Sequence, residues 1–231
     1  VQKELTYLEP LRNNPRKPFY LVMGGAKVSD KMKVIEKFLE KVDGILVGGA
    51  MAYAFLKALG HEIGKSKCDD KQVRLAAQLL ASADVRKVPF YLPIDHRVVP
   101  EFNAKDSMRV TDEIPADTLG IDIGPKTLAK YYEILKDSET VFWNGPMGVF
   151  EVPEYSQGTF ELAKRIAVLP AKKLVGGGDS AAAVKVAGVE GLFDFISTGG
   201  GATLEYLEGK DLPGLKALEY VQRETAEPFS E

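Results

Sequence analysis

An α/β fold is predicted for this 231-residue chain by three observations. Short apolar runs rich in β-branched and aromatic residues recur along it, they end in glycine turns, and segments with helical spacing follow them. That alternation implies a parallel sheet. Six runs qualify, at residues 19–23, 44–47, 90–92, 140–143, 172–175 and 195–197. All six are nearly continuous in apolar residues, as expected when helices cover both faces of the sheet.

Taken in order, Val1, Leu5 and Leu8 form one face of a helix that is expected to close at Pro10. After the first strand, Ser29 and Asp30 suit an N-cap and a first turn, and Met32, Ile35, Leu39 and Val42 repeat at helical spacing behind them. The stretch 92–124 carries Pro and Gly and reads as the longest irregular part, of a length often tied to function. Pro125, directly after Gly124, opens the next helix, whose stripe is Leu128, Tyr131, Tyr132 and Leu135. No tandem repeat or low-complexity tract interrupts the pattern, and 219–231 is a polar tail containing Pro228.

Composition narrows the function. Apolar residues make up 45% and charged residues 27% of the chain, which excludes disorder as its main theme and suits a single domain over 1–231. A net charge of −3 supplies no global field for nucleic acid. The only cysteine is Cys68 and the only histidines are His61 and His96, so neither a disulfide framework nor a Cys/His zinc cluster is expected, and a reducing cytoplasmic setting is. The uncharged stretch 44–56 is too short for a membrane span. Val1 is not methionine and no signal-peptide pattern follows it, so the chain reads as an internal excerpt.

Candidate chemistry gathers at four glycine clusters, 24–25, 48–49, 176–178 and 199–201, which hold ten of the 22 glycines. Each follows a predicted strand, and the C-terminal ends of parallel strands share the edge where ligands bind. Glycine lets backbone N–H groups approach a ligand, and a helix starting at once adds its positive end, a combination that binds phosphate. A tight turn alone would also account for any single cluster. In 174–184, LVGGGDSAAAV, Asp179 and Ser180 are expected at the N-cap, where the carboxylate suits both capping and Mg²⁺. Lys27 and Lys31 stand four apart at a turn-to-helix junction and can face one anion, although such lysines are often simply solvated. In 142–151, FWNGPMGVFE, Trp143 reads as core, Asn144 offers a donor and an acceptor, and Glu151 offers a carboxylate for ribose hydroxyls.

Two other patterns compete. The segment 60–66, GHEIGKS, has three residues between its glycines where a P-loop has four and follows a predicted helix, so it is excluded. Gly176-x-Gly178-x-x-Ala181, with Asp194 downstream, satisfies a loose dinucleotide pattern and makes a NAD-binding oxidoreductase domain the rival reading. Asp179 inside that loop would repel a pyrophosphate lacking a metal, and nothing in that reading uses Lys27 or Lys31. His61 and His96 lack a nucleophile partner and are read as structural, with Asp95-His96-Arg97 as a surface strand end.

Five segments in order, GGAKVSDK (24–31), GGAMAYAFL (48–56), FWNGPMGVFE (142–151), GGGDSAAAV (176–184) and STGGGATLEYLEG (197–209), resemble the phosphoglycerate kinases. The resemblance runs from about residue 1 to 218 and corresponds to the C-terminal, nucleotide-binding half of that two-domain family. It implies a three-layer α/β/α Rossmann-like domain with a six-stranded parallel sheet that binds ADP or ATP with Mg²⁺. The enzymes it resembles transfer phosphate between 1,3-bisphosphoglycerate and ADP in glycolysis. By motif match, Lys31 would contact the nucleotide phosphates, Lys27 would follow the transferring phosphoryl group, and Asp179 would help hold Mg²⁺. Amides of Gly177, Gly178 and Ser180 would cradle phosphate, and Gly199 to Gly201 would add amides on the acceptor side, making Lys27, Gly178 and Gly200 the catalytic candidates. Gly48, Gly49 and Gly120 would line the adenine and ribose pocket, Glu151 would take the ribose hydroxyls, and Asn144 would sit near the phosphate chain. Residues 1–11 would be the inter-domain helix. The N-terminal phosphoglycerate-binding domain has no matching segment, so the expectation is a monomer that binds nucleotide with little or no transfer, without nucleic-acid or membrane partners. The segment 65–70, KSKCDD, follows no recognised pattern.

Overall fold

The computed structural model describes residues 2–198 and 200–210; the 219–231 tail lies outside them. The first half runs α1 (Gln2–Asn13), β1 (Phe19–Met23), α2 (Val28–Phe38), β2 (Gly44–Val47), α3 (Met51–Ala58), α4 (Asp70–Val85) and β3 (Phe90–Tyr91). Next come β4 (His96–Val99), β5 (Arg109–Thr111), β6 (Leu119–Ile123) and α5 (Pro125–Leu135). The chain continues through β7 (Thr140–Asn144), α6 (Gln157–Ala167), β8 (Lys172–Gly176), α7 (Gly178–Val186), β9 (Phe195–Ser197) and α8 (Gly200–Leu207). Six strands pair in parallel in the order β3-β2-β1-β7-β8-β9, each at one of the apolar runs expected to form it.

Three layers follow from the two-residue period of a strand. Leu21, Met23, Ile45, Val47, Phe142 and Leu174 pack to one side, against α1, α2, α3, α4 and α8. Their neighbours Val22, Leu46, Val141, Trp143 and Val175 pack to the other, against α5, α6 and α7. Because both faces are covered, β2 and β7 are buried along their whole length and β1 at every residue but Tyr20. Among the described residues no helix is long and apolar enough to cross a membrane.

Five local expectations need correction. Pro10 does not close α1, which continues to Asn13 with the proline inside it. Leu8 and Leu11 are buried in the core on that helix, and their packing offsets the roughly 3 kcal/mol cost of an internal proline. Helix α2 starts earlier than Ser29 and Asp30 imply: Lys27 occupies the N-cap without a side-chain cap, and the Ser29 N–H is met by Gln72 Oε1 at 3.1 Å. It also ends at Phe38, so Leu39 and Val42 bury their side chains beyond the helix.

The stretch 92–124 is not irregular but folds into an antiparallel sheet in the order β5-β4-β6, with a register shift between Arg97 and Val98. Asp95 is fully buried, not a surface strand end. Its carboxylate accepts from the N–H groups of Lys126 at 2.9 Å and Thr127 at 2.8 Å and from the Thr127 hydroxyl at 2.6 Å, capping α5 from a distant point in the chain. His96 is buried beside it, and that burial pushes its imidazole down to about 4, which fits a structural residue.

Candidate functional site

The turns leaving β1, β2 and β7 meet above the C-terminal edge of the parallel sheet. Gly24 N–H donates to the Asn144 carbonyl at 2.9 Å, Gly25 N–H to the Pro146 carbonyl at 3.0 Å and Gly49 N–H to the Met147 carbonyl at 3.0 Å. Gly145 lies at their centre with φ +99°, and a Cβ there would collide with the Gly24 carbonyl. Its own N–H donates to Ser180 Oγ at 2.6 Å, while its carbonyl accepts from Trp143 Nε1 at 2.7 Å. Trp143 is thus core, as expected, and also fixes the turn.

A cavity of about 200 Å³ opens on these turns. Its walls include Gly25, Gly49, Tyr53, Gly120, Glu151 and Asp179, so four of the candidates separated by up to 130 positions in the chain share one space. Beside it, Lys31 Nζ donates to Asn144 Oδ1, and the Asn144 amide donates to the Gly176 carbonyl at 2.6 Å. Asn144 is therefore fixed with its oxygen toward the lysine. Burial lowers the Lys31 ammonium from its ordinary range, and Asp30 and Asp179 oppose that shift, so the cation is half-buried next to the carboxylate it would share a ligand with.

The other candidates are placed as follows. Lys27 is exposed at the start of α2. Asp179 and Ser180 are not N-cap residues: Gly177, at φ +100°, takes that position, and the two lie in the first turn of α7 with Gly178. Ser180 is buried because its hydroxyl is committed to Gly145, whereas Gly178 and Asp179 are exposed with the helix start facing outward. Gly48 is absent from the cavity wall, since the Met147 side chain covers it. Gly200 begins α8 after β9, on the same edge, and Gly199 lies outside the described residues.

Reasoning from the sequence missed Tyr53, Ile121 and Val149 as wall residues. Only Tyr53 carried a signal, one helical turn beyond Gly49 in the segment 48–56. Its phenol is raised by burial and by Asp122, which keeps it a protonated donor. Asp194, the acid required by the dinucleotide pattern, precedes β9 at the opposite edge of the sheet, with its carboxylate on the Lys173 N–H at 2.8 Å. It is out of reach of the glycine turn after β8, and the NAD reading loses its ribose partner.

The phosphoglycerate kinase family profile matches residues 1–210. The chain belongs to the phosphoglycerate kinase family. A phosphoglycerate kinase of Clostridium botulinum (strain Alaska E43 / Type E3) is 51% identical over 219 residues, which is 94% of this chain and 55% of that protein. One from Anaeromyxobacter sp. (strain K) is 50% identical over 221 residues, 95% of this chain and 56% of the relative. The solved structure of phosphoglycerate kinase from Coxiella burnetii superposes with a TM-score of 0.89 at 40% identity, covering 95% of this chain and 57% of that one. This chain therefore spans a little over half the length of the phosphoglycerate kinases it matches.

Proposed function

We propose that this chain is the nucleotide-binding half of a phosphoglycerate kinase, taking ADP or ATP with Mg²⁺ at the glycine-built edge of its parallel sheet. The observation that carries this reading is the convergence of Gly49, Gly120, Glu151 and Asp179 on one cavity, with the Lys31–Asn144 pair beside it. Backbone turns without Cβ atoms admit a flat base. Glu151, exposed at the rim, accepts from ribose hydroxyls, and the outward start of α7 presents amides of Gly178 and Ser180 to phosphate. Lys31 contacts the phosphate chain, and exposed Lys27 is free to follow the phosphoryl group.

The donor set also fits a magnesium ion, which prefers one or two carboxylates plus phosphate oxygens; Asp179 is the cavity carboxylate on the Lys31 side. When bound, the ion supplies charge neutralisation between phosphate oxygens. In such a transfer the protein mainly positions the reacting oxygens and offsets charge, and no covalent nucleophile is needed. The acceptor, 3-phosphoglycerate or its acyl phosphate, is brought by the remaining length of the full-length relatives, reached through α1. This chain alone accordingly binds nucleotide without appreciable turnover, as a cytoplasmic glycolytic component.

Calorimetric titration with ADP, with and without Mg²⁺ and with NAD as control, tests the reading. Saturable ADP binding and no NAD binding is the expected result; no ADP binding refutes it for the chain as it stands. Lys31→Ala is expected to weaken MgADP by about 1.5–3 kcal/mol, the range for a charge-assisted contact. Turnover of 3-phosphoglycerate and ATP at about 1 per second or faster would refute the inactivity of the isolated chain.

A further inference from the structure

The segment between α3 and α4, together with the first turn of α4, matches no phosphate-binding pattern and bonds to backbone on both sides of the cavity. At one end it runs along β6: Lys65 N–H donates to the Thr118 carbonyl at 2.7 Å, and Ser66 Oγ accepts from the N–H of Gly120 at 3.0 Å. Gly120 is a wall of the cavity and lies at the register shift of the small sheet, where pairing with β4 is irregular. Ser66 is buried, so this bond is shielded from water. In the middle, Cys68 packs on the large apolar cluster under the parallel sheet and on the smaller one around Tyr53.

At the other end, Asp69 Oδ1 accepts from the Gln72 N–H at 3.0 Å and caps α4. That leaves the buried Gln72 side chain fixed toward α2. Its Oε1 accepts from the Ser29 N–H and its Nε2 donates to Ser29 Oγ, both at 3.1 Å. Ser29 stands three residues after Ala26, a wall of the cavity, and two residues from both Lys27 and Lys31. Eight residues, 65–72, thus join the Gly120 wall to the lysine-bearing turn opposite. Neither end touches the cavity itself.

We infer that 65–72 is a positioning strap: Ser66 sets the Gly120 wall on the base side, and Gln72 sets the start of α2 on the phosphate side. The inference rests on the nucleotide reading of the cavity. It separates two effects that a general loss of stability would not. Ser66 acts on a wall that every adenine ligand meets, whereas Gln72 acts on lysines that only a phosphate chain meets.

The test uses the full 231-residue chain and calorimetry with two ligands, adenosine and MgADP, alongside thermal unfolding. Ser66→Ala is expected to weaken both ligands by the same factor, about fivefold for one lost shielded hydrogen bond, with Ser66→Thr restoring both. Gln72→Leu is expected to weaken MgADP about fivefold and leave adenosine unchanged. Wild-type affinities in both variants, or losses of both ligands that track the fall in Tm, overturn the strap while leaving nucleotide binding intact. A wild-type chain that binds no ADP overturns the nucleotide reading and the inference with it. Amide exchange in the wild-type chain gives a second arm: MgADP is expected to slow exchange at Gly120 and Ser29 together, and protection of one without the other overturns the coupling.

Discussion

Along the C-terminal edge of the six-stranded sheet the turns are held by backbone hydrogen bonds and by the lack of Cβ atoms, whereas the three-stranded sheet beside it is tied to its surroundings by buried acidic side chains. At the first, Gly24, Gly49 and Gly145 bond to one another's turns with no titratable group among them. At the second, Asp95 caps α5 and Asp122 accepts from Gly158 N–H at 2.7 Å and Ile123 N–H at 2.9 Å, with Arg97 Nε at 3.6 Å. The difference teaches what each can tolerate. The backbone turns leave no room for a Cβ at Gly24, Gly49 or Gly145, while the small sheet carries buried groups that respond to protons.

The sharpest way to break the contrast is Gly145→Ala, which combines a positive φ with a collision at the Gly24 carbonyl. Urea denaturation is expected to show a loss of about 3 kcal/mol or more. A loss below about 1 kcal/mol would mean that the turn relaxes, and the edge would not be rigid. Next in size, Asp95→Ala removes a buried acceptor from two N–H groups and a hydroxyl and is expected to cost about 2–3 kcal/mol in the same assay.

Asp122→Asn probes the proton response. Burial pushes the Asp122 carboxyl from 3.8 up to about 7, so between those values the folded chain holds a proton that the unfolded chain has lost, and stability falls as pH rises through that window. His96 runs the other way: lowered from 6.5 to about 4, it leaves the folded chain short of a proton in that interval, and stability rises with pH. Denaturation at pH 4.5, 5.5, 6.5 and 7.5 is therefore expected to show the variant gaining on the wild-type chain as pH rises, with the His96 slope uncovered; a constant difference would refute the carboxyl's titration in that range. The smallest effect is expected at the exposed Lys126–Asp112 pair, 2.9 Å apart, which joins the start of α5 to the residue after β5 of the small sheet: Lys126→Ala should leave Tm unchanged, because water and salt screen such pairs. A measurable drop would show that surface charge, not only buried charge, holds that sheet.

The same contrast explains which parts of the fold are legible in the amino-acid sequence. All six parallel strands are, because burial on both faces leaves a continuous apolar run, and so is the glycine edge, because turns without Cβ atoms leave a compositional mark. The small sheet is not, since one of its strands is largely exposed and a register shift breaks the alternation. Caps supplied from afar are also invisible: Ser29 and Ser180 look like caps locally, yet Gln72 and Gly145 claim them in three dimensions. Gly48 reads like its neighbour Gly49, and only the path of Met147 separates the covered glycine from the one that lines the cavity.

Trp143, the one tryptophan in the chain, is fully buried and bonded through its indole nitrogen to the turn at the heart of the candidate site. Its intrinsic fluorescence is consequently a built-in optical reporter of that turn. Emission at short wavelength marks a dry, intact edge, and a red shift marks water reaching it. Ligand titrations and unfolding curves can both be followed from this single chromophore, with no label attached.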